Sequence, residues 1–300
     1  MDDLAQIFRH PPILRTHRSR AARIHQVLQL DAPPVARRNA GFTYAVAHHL
    51  LEGAEHAARS GDDILFTWYR ESALHFTDRL ASGDRIVLAP RPHEFVQSDI
   101  SQTPYVLLNP DTNAADERLR DLVAAAAALG TRTGFGGLLG PHAPIVCLLH
   151  EKAMTSTFDS WTVSRLPGTL FTDYSTEPAV LTRDLIHEAG HNWLNDALAA
   201  DGIKLDDAPA FPSPWKQSDR PAFGFLHACW AFPLTMIYCA RILPTVQPPV
   251  HAFLAAYLSQ QNALLQTAVP DHQEALKLIP QGPLRERLRT VRDLALKASA

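Results

Sequence analysis

Apolar residues in the first third of the chain recur three and four positions apart. This spacing is typical of helices that bury one face, with turn-forming residues between them. It predicts helices over residues 22–30, 42–60 and 63–79. Short β-branched runs predict strands at 85–88 and 105–108, and an alanine-rich segment predicts a helix over 117–130.

The middle of the chain alternates between glycine-rich and β-branched sequence. The stretch TRTGFGGLLGPH (131–142) lacks the ending of a phosphate-binding loop, so it is interpreted as a flexible loop. Strands are predicted at 144–150, 156–164 and 168–173, and the last two form a plausible hairpin around the turn LPG. A helix then begins at Pro178, a residue favoured in the first helical turn, and runs to about Ala200.

Three further helices are predicted in the last third of the chain. The proline-rich segment 206–221 indicates an irregular connection. Residues 222–243 are apolar nearly all round, as in a buried helix, and Pro233 is expected to kink it. Helices over 252–269 and 284–297 complete the chain.

The composition is that of an ordinary globular protein, with 46% hydrophobic and 20% charged residues. A net charge of -3 without a basic run gives no reason to expect a nucleic-acid partner. The three cysteines, Cys147, Cys229 and Cys239, lie in apolar stretches without metal-type spacing and are expected to be buried free thiols. With no signal-like N-terminus and no uninterrupted membrane-length segment, a cytoplasmic location and no membrane partner are expected.

The most informative motif is His187-Glu188-Ala189-Gly190-His191, which has the pattern H-E-x-x-H. Two histidines four residues apart on a helix point the same way and can bind one metal ion. Apolar neighbours predict that this helix is buried, where unpartnered polar groups would be costly. His187 and His191 are therefore predicted metal ligands.

A third protein ligand is needed, and the downstream sequence narrows the choice. A metzincin would have Gly and His where this chain has Leu194 and Ala197. A thermolysin-like site would take a later glutamate, but residues 189–273 contain none. His227, on the next buried helix, is the favoured third ligand, and a downstream aspartate remains an alternative.

Glu188 has two possible roles in this site. It could act as a general base toward a metal-bound water, as in zinc hydrolases. It could equally orient the ligands or the substrate from outside the coordination sphere. The residue pattern leaves both roles open.

The stretches LIHEAGHNWLNDAL and FPSPWKQSDRPAFGFLHACWAF resemble the HExxH-domain proteins of peptide-modification gene clusters. The resemblance covers residues 144–235, and its most specific block is the proline-tryptophan-basic segment with an Arg-Pro pair before the third histidine. It implies an iron(II)- and 2-oxoglutarate-dependent β-hydroxylase that acts on a ribosomally made precursor peptide. It also implies a fold other than the double-stranded β-helix of ordinary 2-oxoglutarate oxygenases.

Carried over to this chain, the resemblance makes His187, His191 and His227 iron ligands. It places Arg220 on the distal carboxylate of 2-oxoglutarate, because a guanidinium can bind a carboxylate through two hydrogen bonds, and Lys216 is the second candidate. The alternative function is an intracellular zinc metallopeptidase with Glu188 as general base. A binding or scaffold protein that kept the motif without turnover is the third interpretation.

Three aromatic residues lie near the proposed site in sequence. Trp215, Phe223 and Trp230 could line a substrate groove, but Phe223 and Trp230, on the helix, are expected to pack in the core.

The order of elements predicts a single domain over residues 1–300. The expected fold is α+β and predominantly helical, with a small antiparallel sheet or hairpin packed on the metal-binding helix. A helical part is expected over about 1–130, a metal-binding α+β core over about 140–245, and a helical C-terminal part over about 250–300.

Overall fold

The computed structural model describes residues 3–30, 39–98, 101–205 and 208–299. The helices in these ranges are α1 (Asp3–Phe8), α2 (Pro11–Leu28), α3 (Ala40–Ser60), α4 (Asp63–Glu71), α5 (Ala73–Leu80), α6 (Glu117–Arg132), α7 (Gly136–His142), α8 (Pro178–Ala200), α9 (Ala222–Ile242), α10 (Val250–Ala275) and α11 (Pro283–Ala298). The strands are β1 (Ile86–Leu88), β2 (Phe95–Ser98), β3 (Ser101–Val106), β4 (Ile145–Glu151), β5 (Ser160–Trp161), β6 (Thr169–Tyr174), β7 (Ala210–Ser213) and β8 (Ser218–Pro221). The predicted class, a predominantly helical α+β fold, is confirmed.

The central sheet has four strands in the order β1-β4-β6-β5. The predicted hairpin is present, because β5 pairs antiparallel with β6 through Trp161 and Phe171. The pairs β1–β4 and β4–β6 are parallel. The whole sheet is therefore mixed, whereas a small antiparallel sheet or hairpin was predicted. The turn around LPG could be recognised from sequence. The parallel pairs join strands that are not adjacent in the chain, since α6 and α7 lie between β1 and β4, and β5 lies between β4 and β6.

Alternate residues of the sheet belong to two different hydrophobic clusters. Leu88, Cys147 and Phe171 pack with the cluster that contains the apolar side of α3. Val146 and Leu170 point the other way and pack with the cluster that contains α8 and α9. Because side chains alternate across a strand, this thin sheet separates α3 from α8 and α9.

Helix α8 lies in the middle of the hydrophobic cluster that also contains α9. It packs on α9, α6, α7 and β6, and most of its side chains are buried. The prediction of a buried helix from Pro178 to Ala200 is confirmed. Residues Ala222–Thr245, which comprise α9 and the turn after it, are long and apolar enough to cross a membrane. However, 83% of the apolar 18-residue stretch within them is buried inside the protein, as in a core helix.

Two predictions of irregular structure are wrong. The glycine-rich stretch 131–142 contains α7, whose Leu138 and Leu139 are buried in the core. Their burial offsets the conformational cost of the neighbouring glycines. The proline-rich segment contains the β7–β8 hairpin, in which Ala210 pairs with Pro221.

The buried cysteines agree with prediction, but the bounds of two helices do not, since α2 begins at Pro11 and not at the predicted residue 22. Cys147, Cys229 and Cys239 are free and buried, as expected. The predicted helix over 63–79 is interrupted at Ser72, between α4 and α5. Helix α9 includes Pro233 and continues to Ile242.

A buried histidine at the junction of α3 and the sheet makes stability depend on pH. The backbone N–H of Leu108 donates to Nδ1 of His49, so Nε2 carries the proton and donates to Thr169 Oγ1 at 2.8 Å. Burial lowers the pKa of His49 to about 3. The folded protein therefore holds this ring neutral, while the unfolded chain takes up a proton near pH 6.5.

We expect His49 to cost the fold stability in mild acid. Because the pKa of His49 is lower in the folded protein than in the unfolded chain, the free energy of unfolding is unaffected by this ring above pH 6.5. It decreases as pH falls from 6.5 toward 3, and the decrease at pH 5 is about 2 kcal/mol. Urea unfolding at pH 7.5 and pH 5 measures the loss. In His49→Gln, which keeps one donor and one acceptor but does not titrate, the pH-dependent loss should be smaller by about that amount. An unchanged loss would contradict the assignment.

Candidate metal centre

The two histidines of the H-E-x-x-H motif meet on one side of α8. Nε2 of His187 and Nε2 of His191 lie 3.1 Å apart, and the rings are nearly perpendicular. Two nitrogen ligands on one tetrahedral ion, each about 2.0–2.1 Å from it, are separated by a similar distance. The spacing predicted from the helical period is therefore the spacing that a shared metal ion requires.

Glu188 joins these two histidines from the more buried side of α8. Its side chain is 1% exposed, and Oε1 lies 3.9 Å from Nε2 of His187. Ligand atoms of His187, Glu188 and His191 all lie within 4.8 Å of one another. The site thus contains two nitrogens and one carboxylate oxygen that could hold a divalent cation.

Strand β5 supplies the partner of this carboxylate. Ser160 Oγ donates a hydrogen bond of 2.7 Å to Glu188 Oε1, while Oε2 is buried and has no partner among the described residues. Burial raises the pKa of Glu188 to about 8, against the effect of the Ser160 hydrogen bond. The sequence predicted the strand but gave no reason to single out Ser160.

His227 reaches the motif from α9, as the sequence predicted. Its Nδ1 lies 3.0 Å from Nδ1 of His191, and its Nε2 is buried without a partner among the described residues. His227 is outside the group whose ligand atoms lie within 4.8 Å, because it meets the opposite edge of the His191 ring. The structure brings the three histidines together, and the role of His227 as third ligand stays a prediction.

All three histidines are held in their neutral form. Burial lowers the pKa of His191 to about 4 and places the pKa values of His187 and His227 well below their ordinary value. The neighbouring positive charges act in the same direction. A neutral imidazole offers a lone pair, which is the form that binds metals.

Of the two predicted carboxylate-binding residues, only Arg220 lies near the histidines. Its charge lowers the pKa values of His191 and His227, and its guanidinium covers Gly224 in the first turn of α9. A Cβ at Gly224 would lie 3.0 Å from Nη2 of Arg220, so the glycine makes room for it. Lys216 is exposed in the β7–β8 turn and forms no side-chain hydrogen bond with these histidines.

A second arginine, missed by the sequence analysis, lies one turn before His187 on α8. Arg183 is buried and pairs with Oδ1 of Asp184 through Nε (2.8 Å) and Nη2 (2.6 Å). Its guanidinium also faces three aromatic rings, those of Phe158, Phe253 and Tyr257, at 5.8, 5.1 and 4.7 Å. Its charge contributes to the lowered pKa of His187. The signal was an Arg-Asp pair next to apolar residues in the first turns of a buried helix.

Aromatic side chains form one wall of the site. Phe232 packs on His187 at 4.7 Å between ring centroids, and Trp215 stacks on Phe232 at 5.0 Å. Phe223 packs on His227 at 4.3 Å and is 45% exposed, so the prediction that it lies in the core is wrong. Trp230 is fully buried, as predicted.

Comparison with known proteins adds no family to this geometry. No protein-family model matches the chain, and no curated protein matches it either. The resemblance to the HExxH-domain peptide-modification proteins therefore depends on the residues themselves.

Proposed function

We propose that this protein is an iron(II)- and 2-oxoglutarate-dependent oxygenase that hydroxylates a β-carbon of a ribosomally made precursor peptide. The observation that carries the proposal is the contact of three neutral histidines, His187, His191 and His227, with Arg220 beside two of them. Neutral imidazoles suit iron as well as zinc. A nearby arginine suits a dicarboxylate cosubstrate.

The residues present fit a resident metal ion. Oε2 of Glu188 and Nε2 of His227 are buried polar atoms without partners, and such atoms are costly unless something binds them. His187 and His191 would hold the ion, with His227 as the proposed third ligand. The chemistry supplied by bound iron(II), 2-oxoglutarate and O2 is the hydroxylation of an unactivated C–H bond.

The surrounding side chains have separate tasks in this proposal. Arg220 binds the distal carboxylate of 2-oxoglutarate and thereby orients it. Ser160 holds the Glu188 carboxyl group in place beside His187. Phe232 and Trp215 cover the His187 side with apolar surface and keep water from it.

A peptide substrate suits the rim of this site. β5 is an edge strand of the sheet and contributes Ser160, so an extended peptide could pair with it beside the histidines. The half-exposed ring of Phe223 offers an apolar contact for a substrate side chain. The proposed partner is the precursor peptide, and the proposed location is the cytoplasm, where such peptides are made.

A zinc metallopeptidase is the second candidate, and the position of Glu188 favours it. A carboxylate oxygen of Glu188 lies within 4.8 Å of a ring nitrogen of each histidine, and all three residues are on the same helix. In a peptidase it would take a proton from the attacking water. Against this, its Oε1 is bound by Ser160 and the side chain is almost completely buried.

Metal-dependent turnover separates the two functions. The protein is loaded with iron(II) under anaerobic conditions, then given 2-oxoglutarate, O2 and a candidate precursor peptide. The proposal predicts succinate and a peptide heavier by one oxygen atom. Zinc-loaded protein is the control, and peptide cleavage with zinc but no product with iron would establish the peptidase instead.

Substitution of Arg220 tests the proposed cosubstrate site. Arg220→Ala should raise the KM for 2-oxoglutarate about 10–100-fold, the loss expected for hydrogen bonds to a charged group. Steady-state succinate formation measures it. Lys216→Ala, in the same hairpin but away from the histidines, is the matched control and should leave the KM nearly unchanged. The opposite result would move the carboxylate site to Lys216.

A further inference from the structure

A second cluster of metal-binding side chains lies on another face of α8. His17 of α2, His142 at the end of α7 and Asp196 of α8 are all buried, and their ligand atoms lie within 4.8 Å of one another. Asp196 is nine positions after His187, half a turn away around the helix axis at about 100° per residue. This cluster is therefore separate from the histidines of the motif.

The three side chains converge on a single point. Oδ2 of Asp196 lies 2.8 Å from Nε2 of His17 and 3.0 Å from Nδ1 of His142. One oxygen thus faces two ring nitrogens, each from a different helix. Separations of about 3 Å match those of ligands on one face of a small tetrahedral cation, with bonds of about 2.0–2.1 Å.

The carboxylate of this cluster is buried together with its two imidazole neighbours. Asp196 is 5% exposed, and His17 and His142 are each 2% exposed. A carboxylate removed from water is costly unless a cation or hydrogen-bond donors compensate it. A divalent ion bound to Asp196 and to both rings would compensate it.

The groups around the cluster hold its ligands in place. Tyr44 stacks on His17 with 4.2 Å between ring centroids. Asn192 donates to the backbone carbonyl of His142 at 3.0 Å and to that of Thr169 at 3.2 Å, which ties the end of α7 to α8 and β6. Such outer contacts are a regular feature of metal sites, because they orient the ligands.

We propose that His17, His142 and Asp196 bind a second divalent transition-metal ion, with zinc the best match to two imidazoles and a carboxylate. This ion joins α2 and α7 to the helix that carries His187 and His191. It has a structural role, because its ligands are buried and come from α2, α7 and α8, with none from the edge strand or the aromatic wall. Neither the proposed oxygenase nor the peptidase activity requires it, so the two proposals can fail separately.

Zinc stoichiometry tests the second site in a protein that lacks the first. His187→Ala with His191→Ala is stripped with a chelator, loaded with zinc, desalted and assayed by elemental mass spectrometry. It should retain about one zinc per chain, and wild type about two. Adding Asp196→Asn should remove the remaining ion. Asp201→Asn is the matched control, since Asp201 accepts from a single histidine, His10, at 3.0 Å, and it should leave the zinc content unchanged.

Two results would overturn the proposal. Either the His187→Ala/His191→Ala protein binds no zinc although the second cluster is intact, or its zinc survives Asp196→Asn. Circular dichroism of each variant separates lost binding from lost folding. If Asp196→Asn unfolds, His142→Gln in the same background provides the measurement. Failure of the oxygenase assay with retained second-site zinc would count against the proposed function alone.

Discussion

Alanine in place of His191 should remove the metal of the H-E-x-x-H site and abolish turnover. His191 contacts both other histidines, through Nε2 to His187 and through Nδ1 to His227. Its loss therefore removes both contacts among the three candidate ligands. Loss of an outer contact of a metal site already costs about 10–100-fold in affinity, and loss of a ligand should cost more. Isothermal titration with iron(II) under anaerobic conditions, or with zinc, measures the effect.

The same titration identifies the third ligand. His227→Ala should also abolish binding if His227 coordinates the ion, and Glu188→Gln should then retain most of the affinity. If Glu188→Gln loses the ion and His227→Ala keeps it, the coordinating set is His187, Glu188 and His191, the group that lies within 4.8 Å. Stoichiometric metal in His191→Ala would contradict the site itself. Each titration is made in the Asp196→Asn background, so that the second cluster does not contribute.

The largest stability effect is expected at Trp230, where α9 packs on α8. Trp230 is fully buried, stacks on Trp193 at 4.6 Å between ring centroids, and donates from Nε1 to the carbonyl of Gly190 at 3.0 Å. Gly190 allows this close approach, since a Cβ there would lie 3.1 Å from Leu234. The Trp230 indole is thus a central contact between the two helices that carry the three histidines.

Trp230→Ala should lower the free energy of unfolding by about 3–5 kcal/mol, because it opens a cavity and removes the indole hydrogen bond to the Gly190 carbonyl. Urea unfolding of the metal-free protein provides the measurement. Trp230→Phe keeps an aromatic ring and loses the hydrogen bond, so its cost should be clearly smaller. A cost below about 1 kcal/mol for Trp230→Ala, as at a surface position, would show that the two helices are held together elsewhere.

Local sequence was sufficient wherever the relevant contacts lie within one element. The period of α8 places Nε2 of His187 beside Nε2 of His191, and it needs only the helical geometry to do so. The apolar run of α9 likewise predicted a buried helix that carries His227. The turn between β5 and β6 was visible for the same reason, because a hairpin is a local structure.

Two segments were predicted to be irregular from their glycine and proline content, but both contain regular structure in the folded protein. Glycine and proline favour irregular structure in isolation, yet α7 forms where its leucines fill the core beside α8. The hairpin of β7 and β8 forms in a proline-rich segment because its strands pair with each other over α9 and α10. One of these elements carries His142 and the other Arg220.

The sequence by itself determined that a buried helix brings two histidines and a glutamate together as candidate metal ligands, and that a histidine follows on the next helix. Only the tertiary structure decided which atoms meet. Ser160 reaches Glu188, Arg220 rather than Lys216 lies by the histidines, and His17 meets Asp196 across 179 positions of the chain. The reason is that helical and strand periods relate residues within an element, whereas contacts between elements depend on how their apolar faces pack.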